Sequence, residues 1–340
     1  MKRGATWGAA AIAAAALVVA AVVFALRQRR APMPEWKGGH GDSAAARGLA
    51  ALPQGRIDGA LGERALLGNV SAGARDTHRT DHAEDGISEA VSIIVGRDAA
   101  SAARYRPRAE AFGRIASVRT LSRTDALALM DYVASTNCAL RLSREAALRN
   151  DVMNLLRRQK GTVPDETADV LSAMLRDAIH PPVILDYCVQ HLGAVLADLS
   201  EPQLREAARD ALCRAAESRE SYAGTALYAL AEDREAPDEQ IRFLRRRAAA
   251  LARGENASPL ARISAVMLAG ERGWTEVLPA LRAILEHPGA DVPLAIAALG
   301  AIGSLGGPQD IPLVESAMQS GGVRLAPAAE CALSRLSTRR

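Results

Sequence analysis

Leu260-Ala261-Arg262-Ile263-Ser264-Ala265-Val266-Met267-Leu268-Ala269-Gly270 has an echo 33 residues downstream, and that echo decides the fold. A shift of 33 sets Ile263 on Ile296, Val266 on Leu299, Ala269 on Ile302 and Gly270 on Gly303. The same shift sets Gly273 on Gly306, Leu278 on Ile311 and Pro279 on Pro312. A shift of 34 carries Ala298 and Leu299 onto Ala332 and Leu333, and Ile302 onto Leu336. A fixed period in this range marks stacked helix pairs, because one pair cannot cover its own apolar face and must lean on the next.

Upstream of the repeat, helical periodicity extends back to Ile87. Ile87, Val91 and Ile94 stand at i, i+4, i+7 spacing on one amphipathic face. The pattern predicts further helices over 109–118, 125–135, 144–159, 165–179, 183–199, 202–218, 223–231, 239–253, 259–270, 276–285, 292–302, 311–318 and 325–336. Ser122-Arg123-Thr124-Asp125 and Ser200-Glu201-Pro202-Gln203 have capping-box form, and Ser258 precedes a first-turn proline, Pro259. Gly254, Gly273, Gly289, Gly306 and Gly321 stand where helices should stop. No stretch alternates as a strand does. Apolar content is 49% and aromatic content only 3%, a mix of alanine and leucine that suits close-packed helices better than sheets.

Residues 259–285 and 293–318 resemble HEAT repeats, the helix-pair units of α-solenoids. The resemblance rests on the small-apolar first helices (Ile263, Val266, Ala269 and Ile296, Leu299, Ile302), on the turn glycines, and on the second-helix prolines Pro279 and Pro312. Val323-Arg324-Leu325, leading into Ala328-Ala329-Glu330-Cys331-Ala332-Leu333, resembles the first helix of another unit. The match covers about 80 residues. Between Arg123 and Gly254 the likeness is one of architecture only. It implies an all-α solenoid of antiparallel helix pairs that binds other macromolecules.

The first thirty residues have a different texture. Met1-Lys2-Arg3 precedes an apolar run over 7–26, closed by Arg27, Arg29 and Arg30. Twenty helical residues span roughly 30 Å, the hydrocarbon thickness of a bilayer. Two readings are open: an uncleaved single-pass anchor, and a signal peptide cut after Val23-Phe24-Ala25. Basic residues flank both ends in similar number. A short basic amino terminus that stays cytoplasmic places the rest of the chain outside the cytoplasm, in a periplasm, either anchored or secreted after cleavage. Over 31–86, Pro32, Pro34, Gly38, Gly39, Gly41, Gly48, Pro53, Gly55 and their successors interrupt every candidate helix, as in a flexible linker. The chain thus divides into an anchor (1–30), a linker (31–86) and a helical repeat domain (87–340).

Candidate chemistry is sparse. His78 and His82 stand four apart among Asp76, Asp81, Glu84 and Asp85, a set that a divalent metal could use if it were helical, though Gly73 and Gly86 argue for a solvated loop. Cys188 and His191 stand three apart on one predicted helix, the spacing of a thiolate–histidine nucleophile and the place to look for an enzyme, including a pigment-lyase-like one. The competing reading is a packed cysteine and a hydrogen-bonded histidine. Cys138, Cys188, Cys213 and Cys331 lie far apart with no CxxC pair, so they read as small core residues, with one disulfide as the alternative. The glycine-rich 300–307 stretch lacks the strand and lysine of a phosphate loop.

Arg242, Arg245, Arg246 and Arg253 share one helix face and make the strongest charge feature. Local pairing such as Asp238 with Arg242 would neutralise it; unpaired, these residues are candidate partner-binding arginines whose guanidinium forks suit carboxylates or phosphates. A net charge of +3 is too small for a general nucleic-acid binder. The expected protein is therefore a membrane-tethered, non-catalytic scaffold that binds protein, with no cofactor, no metal, no nucleic acid and no small-molecule substrate.

Overall fold

In the computed structural model the described residues are 78–97, 103–137, 140–199, 201–254, 256–287 and 289–338, with side chains from Asp85 onward. They belong to one compact unit, Asp76–Arg340. The predicted anchor and nearly all of the linker lie outside the described residues. Among the described residues, no helix is long and apolar enough to cross a membrane.

The described residues form fourteen α-helices and no strand. In chain order they are α1 His78–Ile94, α2 Tyr105–Ile115, α3 Arg123–Ala134, α4 Leu142–Arg157, α5 Val163–Asp177, α6 Pro182–Val195, α7 Pro202–Glu217, α8 Tyr222–Ala231, α9 Asp238–Arg253, α10 Pro259–Arg272, α11 Leu278–Glu286, α12 Val292–Leu305, α13 Ile311–Gly321 and α14 Ala326–Ser337. Short 3₁₀ turns precede α7, α11, α13 and α14.

Two layers run through the unit. In the even layer α4 packs on α6, α6 on α8, α8 on α10, α10 on α12 and α12 on α14. In the odd layer α1 packs on α3, α3 on α5, α5 on α7, α9 on α11 and α11 on α13. Neighbouring helices of the chain join the layers, as in α7 with α8 and α9 with α10. Apart from α7 and α9, which arginine side chains bridge, each helix therefore packs on the next but one, which is the stacking that the sequence period requires. The core is almost wholly aliphatic, with Leu148, Leu155, Leu192, Leu227, Leu268, Leu299 and Leu336 buried in successive even helices.

Small residues set the spacing of the even layer. A Cβ added at Gly193 would stand 2.5 Å from Ala229 Cβ, one at Gly224 2.5 Å from Ser264 Cβ, and one at Gly270 3.1 Å from Ala301 Cα. Gly270 and Gly303, which the period aligns, are thus helix-interior contact residues. Gly273 and Gly306 end α10 and α12 as C-caps, where the sequence placed helix stops; Gly273 has φ 74°, where a side chain would be strained.

Several local expectations shift. α1 starts at His78 and runs through Gly86, so residues 78–86 are helical and not linker. An interior glycine costs about 1 kcal/mol against alanine, and burial of Ala90, Val91 and Ile94 offsets it. Ser122 does cap α3, accepting from the Asp125 N–H, but Asp125 turns its carboxylate to the Ser122 and Ser88 hydroxyls instead of closing a capping box. Pro202 opens α7 behind Glu201, which makes no side-chain cap. Ile263 is only half-buried and Ile296 is exposed, while Val266, Leu299, Ala269 and Ile302 carry the packing. Cys188 is buried as expected, but Cys331 is exposed, and both are free thiols with Cys213.

Candidate functional site

The arginine face of α9 stands out from the stack. Leu244, Ala248, Leu251 and Ala252 turn inward and commit the helix, leaving Arg242, Arg245, Arg246 and Arg253 exposed. Arg247 points the other way and donates to the carbonyls of Ala216, Glu217 and Ser218 at the C-terminus of α7. Arg205 and Arg209 of α7 reach Glu235 and Asp233 in the turn before α9. These arginines tie the odd layer together between α7 and α9. Of the exposed four, Arg245 pairs with Glu276 at 3.5 Å. Arg242, Arg246 and Arg253 make no hydrogen bond or ion pair among the described residues, so the expected Asp238–Arg242 neutralisation does not form. Three guanidinium groups remain on a strip roughly 16 Å long, eleven residues at helical rise.

The Cys188–His191 pairing fails on geometry. Both sit in α6, but the Cys188 thiol lies 3.9 Å from the Met174 sulfur, and His191 Nε2 lies 3.0 Å from Asn150 Oδ1. Burial pushes the Cys188 thiol up to about 12 and the His191 imidazolium down to about 4. A neutral thiol and an imidazole held as a donor to Asn150 form no nucleophile–base couple. Three-residue spacing put the two on adjacent faces, and packing sent them to different neighbours. His78 and His82 lie in the first turns of α1, with side chains outside the described residues. Among the described residues no group of three or more His, Cys, Asp or Glu could hold a metal ion. Residues 300–305 are helical, and the N–H of Gly307 donates to Asp310, itself paired with Arg282, so the glycine-rich stretch presents no phosphate loop.

A buried ionic cluster, which the sequence pattern did not announce, sits at the junction of α1 to α4. Glu145 and Arg149 are fully buried, and Arg108 and Tyr132 nearly so. Glu145 accepts from Arg149 Nε at 3.1 Å and lies 3.5 Å from Arg108 Nη1. Arg108 also donates to the Ile94 carbonyl at the end of α1. Arg149 donates to the carbonyls of Val133, Ser135 and Asn137, holding the α3–α4 turn. Both guanidinium groups sit over the Tyr132 ring, at 4.8 and 5.3 Å. Burial, together with Glu145, pushes the Tyr132 phenol up, against the pull of the two arginines. His180, buried in the α5–α6 turn, feels the same Arg149; burial first and that charge second push its imidazolium down, against Asp177. The available signal was Glu145 and Arg149 at i, i+4 inside an otherwise apolar face.

A second polar group lies between α6 and α8. Asp186 accepts from Thr225 Oγ1 at 2.6 Å and from Gln190 Nε2 at 2.8 Å. Burial nonetheless pushes its carboxyl up, and these two hydrogen bonds only partly oppose it.

No protein family matches the sequence, and no curated protein matches it significantly. Among solved structures, the chain is similar to human deoxyhypusine hydroxylase in complex with glycerol, at 17% identity over 76% of this chain and 99% of that one, with a TM-score of 0.27. That protein is an enzyme, so the expectation of a non-catalytic chain is withdrawn. At this TM-score the likeness transfers no activity, substrate or metal.

Proposed function

We propose that the chain is a HEAT-type solenoid, held at a bilayer by its first thirty residues, that docks a protein partner through the exposed face of α9. The repeat reading is supported by the even and odd layers and by Pro279 and Pro312, which open α11 and α13 at equivalent positions. The docking reading rests on one observation: Arg242, Arg246 and Arg253 stay unneutralised in a molecule that ties Arg205, Arg209, Arg245, Arg272 and Arg282 to carboxylates. Aligned like charges at i, i+4 disfavour their own helix, so such a strip is best accounted for by an anionic counterpart. On this reading the apolar run over 7–26 would anchor the chain and the linker would carry this face outside the cytoplasm, within reach of the membrane.

The test is capture from membranes in mild detergent with the natural chain and with an Arg242→Glu, Arg246→Glu, Arg253→Glu variant. A protein retained by the first and lost from the second supports the reading. Recovery of no partner, or equal recovery by both, ends it. Reporter fusions at the carboxyl terminus check the topology.

A further inference from the structure

We propose that the edge of the array formed by the α3–α4 and α5–α6 turns rests on an anionic phospholipid surface, with Leu142, Ile179 and Val183 as apolar tips and Arg141, Arg144 and Arg176 on the headgroup phosphates. This surface is separate from the α9 face, and the inference does not depend on that reading.

The topology puts these residues together. Because successive helices run antiparallel, the turns from odd to even helices share one edge, and α4 packs on α6. Leu142 opens α4 and Val183 stands second in α6, so the topology sets both on that edge. Leu142 is 45% exposed, Val183 38% and Ile179 67%. Single exposed apolar residues are ordinary, but three on two adjoining turns form a patch.

The patch is rigidly built. Ala178, which caps α5, has φ 51°, the one left-handed residue besides glycine among the described residues. That backbone is unfavourable for a side chain with a Cβ and persists only where its surroundings impose it. His180 is buried immediately after it, and Pro181 and Pro182 fix the next two φ angles. Arg149 clamps the carbonyls of Ser135 and Asn137 in the adjoining turn. Ile179 is thus held outward by structure on both sides.

Charge selects the occupant. Arg141 and Arg176 are exposed, and their guanidinium groups make no hydrogen bond or ion pair among the described residues. Arg144 is braced over the Tyr105 ring at 5.4 Å. Against these three cations Asp177 is the exposed carboxylate of the α5–α6 turn. Three partly exposed apolar side chains do not by themselves supply the roughly 800 Å² per partner of a stable protein interface. Apolar tips ringed by arginines do match the boundary between acyl chains and phosphates.

The test reads local hydrogen exchange of the full-length chain on vesicles containing phosphatidylglycerol and on vesicles of phosphatidylcholine alone. Local exchange is needed because the 7–26 run would hold the chain to any vesicle. Residues 140–144 and 176–184 should slow on the anionic vesicles only. An Ile179→Ser, Val183→Ser variant should lose that protection with an unchanged melting temperature, and each of Arg141→Glu and Arg176→Glu should weaken it about fivefold or more. Equal exchange on both vesicles, protection that survives the serine variant, or protection that needs a co-purifying protein would overturn the proposal.

Discussion

Gly303 of α12 lies so close to Ala332 of α14 that a Cβ added to it would come within 2.9 Å of the Ala332 Cα. The same kind of contact recurs at Gly193, Gly224 and Gly270, one for each interface of the even layer from α6 to α14. Gly300, three residues earlier in α12, is exposed and meets nothing within 4 Å.

Gly303→Ala and Gly193→Ala should therefore each destabilise by about 1–3 kcal/mol, because two backbones would have to part. Gly300→Ala should stabilise by up to about 1 kcal/mol, since only helix propensity changes there. Urea unfolding of the three variants checks the opposite signs. Destabilisation by all three would show that propensity, not contact, governs these sites.

Glu145→Gln should cost about 3–5 kcal/mol, because it strands two buried guanidinium groups. Arg149→Lys should also be poorly tolerated: an ammonium cannot serve Glu145 and three carbonyls in the fork geometry of a guanidinium. Thermal unfolding followed by circular dichroism measures both losses.

Stability should rise as pH climbs from about 4 to 6.5, the span between the folded and ordinary values of His191. In that window the unfolded chain binds the proton and the folded chain does not, so stability is complete above the window and lost as pH falls through it. The single-site contribution is about 3 kcal/mol at most. The depressed His180 acts with the same sign. Asp186 acts oppositely: its raised value makes stability fall as pH climbs above the ordinary carboxylate range. His191→Gln should flatten the 4-to-6.5 limb in denaturation curves taken across pH, and an unchanged limb would assign it elsewhere.

Among the described thiols, Cys331 should react first with a maleimide in the native chain. Burial pushes Cys188 up to about 12 and Cys213 to about 11, whereas Cys331 is exposed. Peptide mass spectrometry of timed samples reads the order, with Cys188 labelled only after unfolding. Early labelling of Cys188 would mean that α6 opens readily.

Helices were legible because apolar spacing is a local property. Val266, Leu299 and Leu336 announce buried stripes from within their own segments, and the period between them announces stacking. The α9 arginines were legible in the same way, since a helical wheel already sets Arg242, Arg246 and Arg253 opposite Leu244 and Leu251. Pairing was not legible. Whether Arg242 meets Asp238, whether Cys188 meets His191, and whether Arg108 finds Glu145 depend on rotamers and on helices distant in the chain.

From sequence alone came the all-helical stack, its period and the direction in which α9 turns its charges. Those follow from local periodicity and from the need of each helix pair to hide its apolar face. Only the tertiary structure decided that Gly270 and Gly303 are points of backbone contact, that an Arg–Glu–Arg cluster is sealed beneath α1 to α4, and that Ile179 is held outward. These properties arise from the approach of residues remote in sequence, and a one-dimensional pattern does not record distance between them.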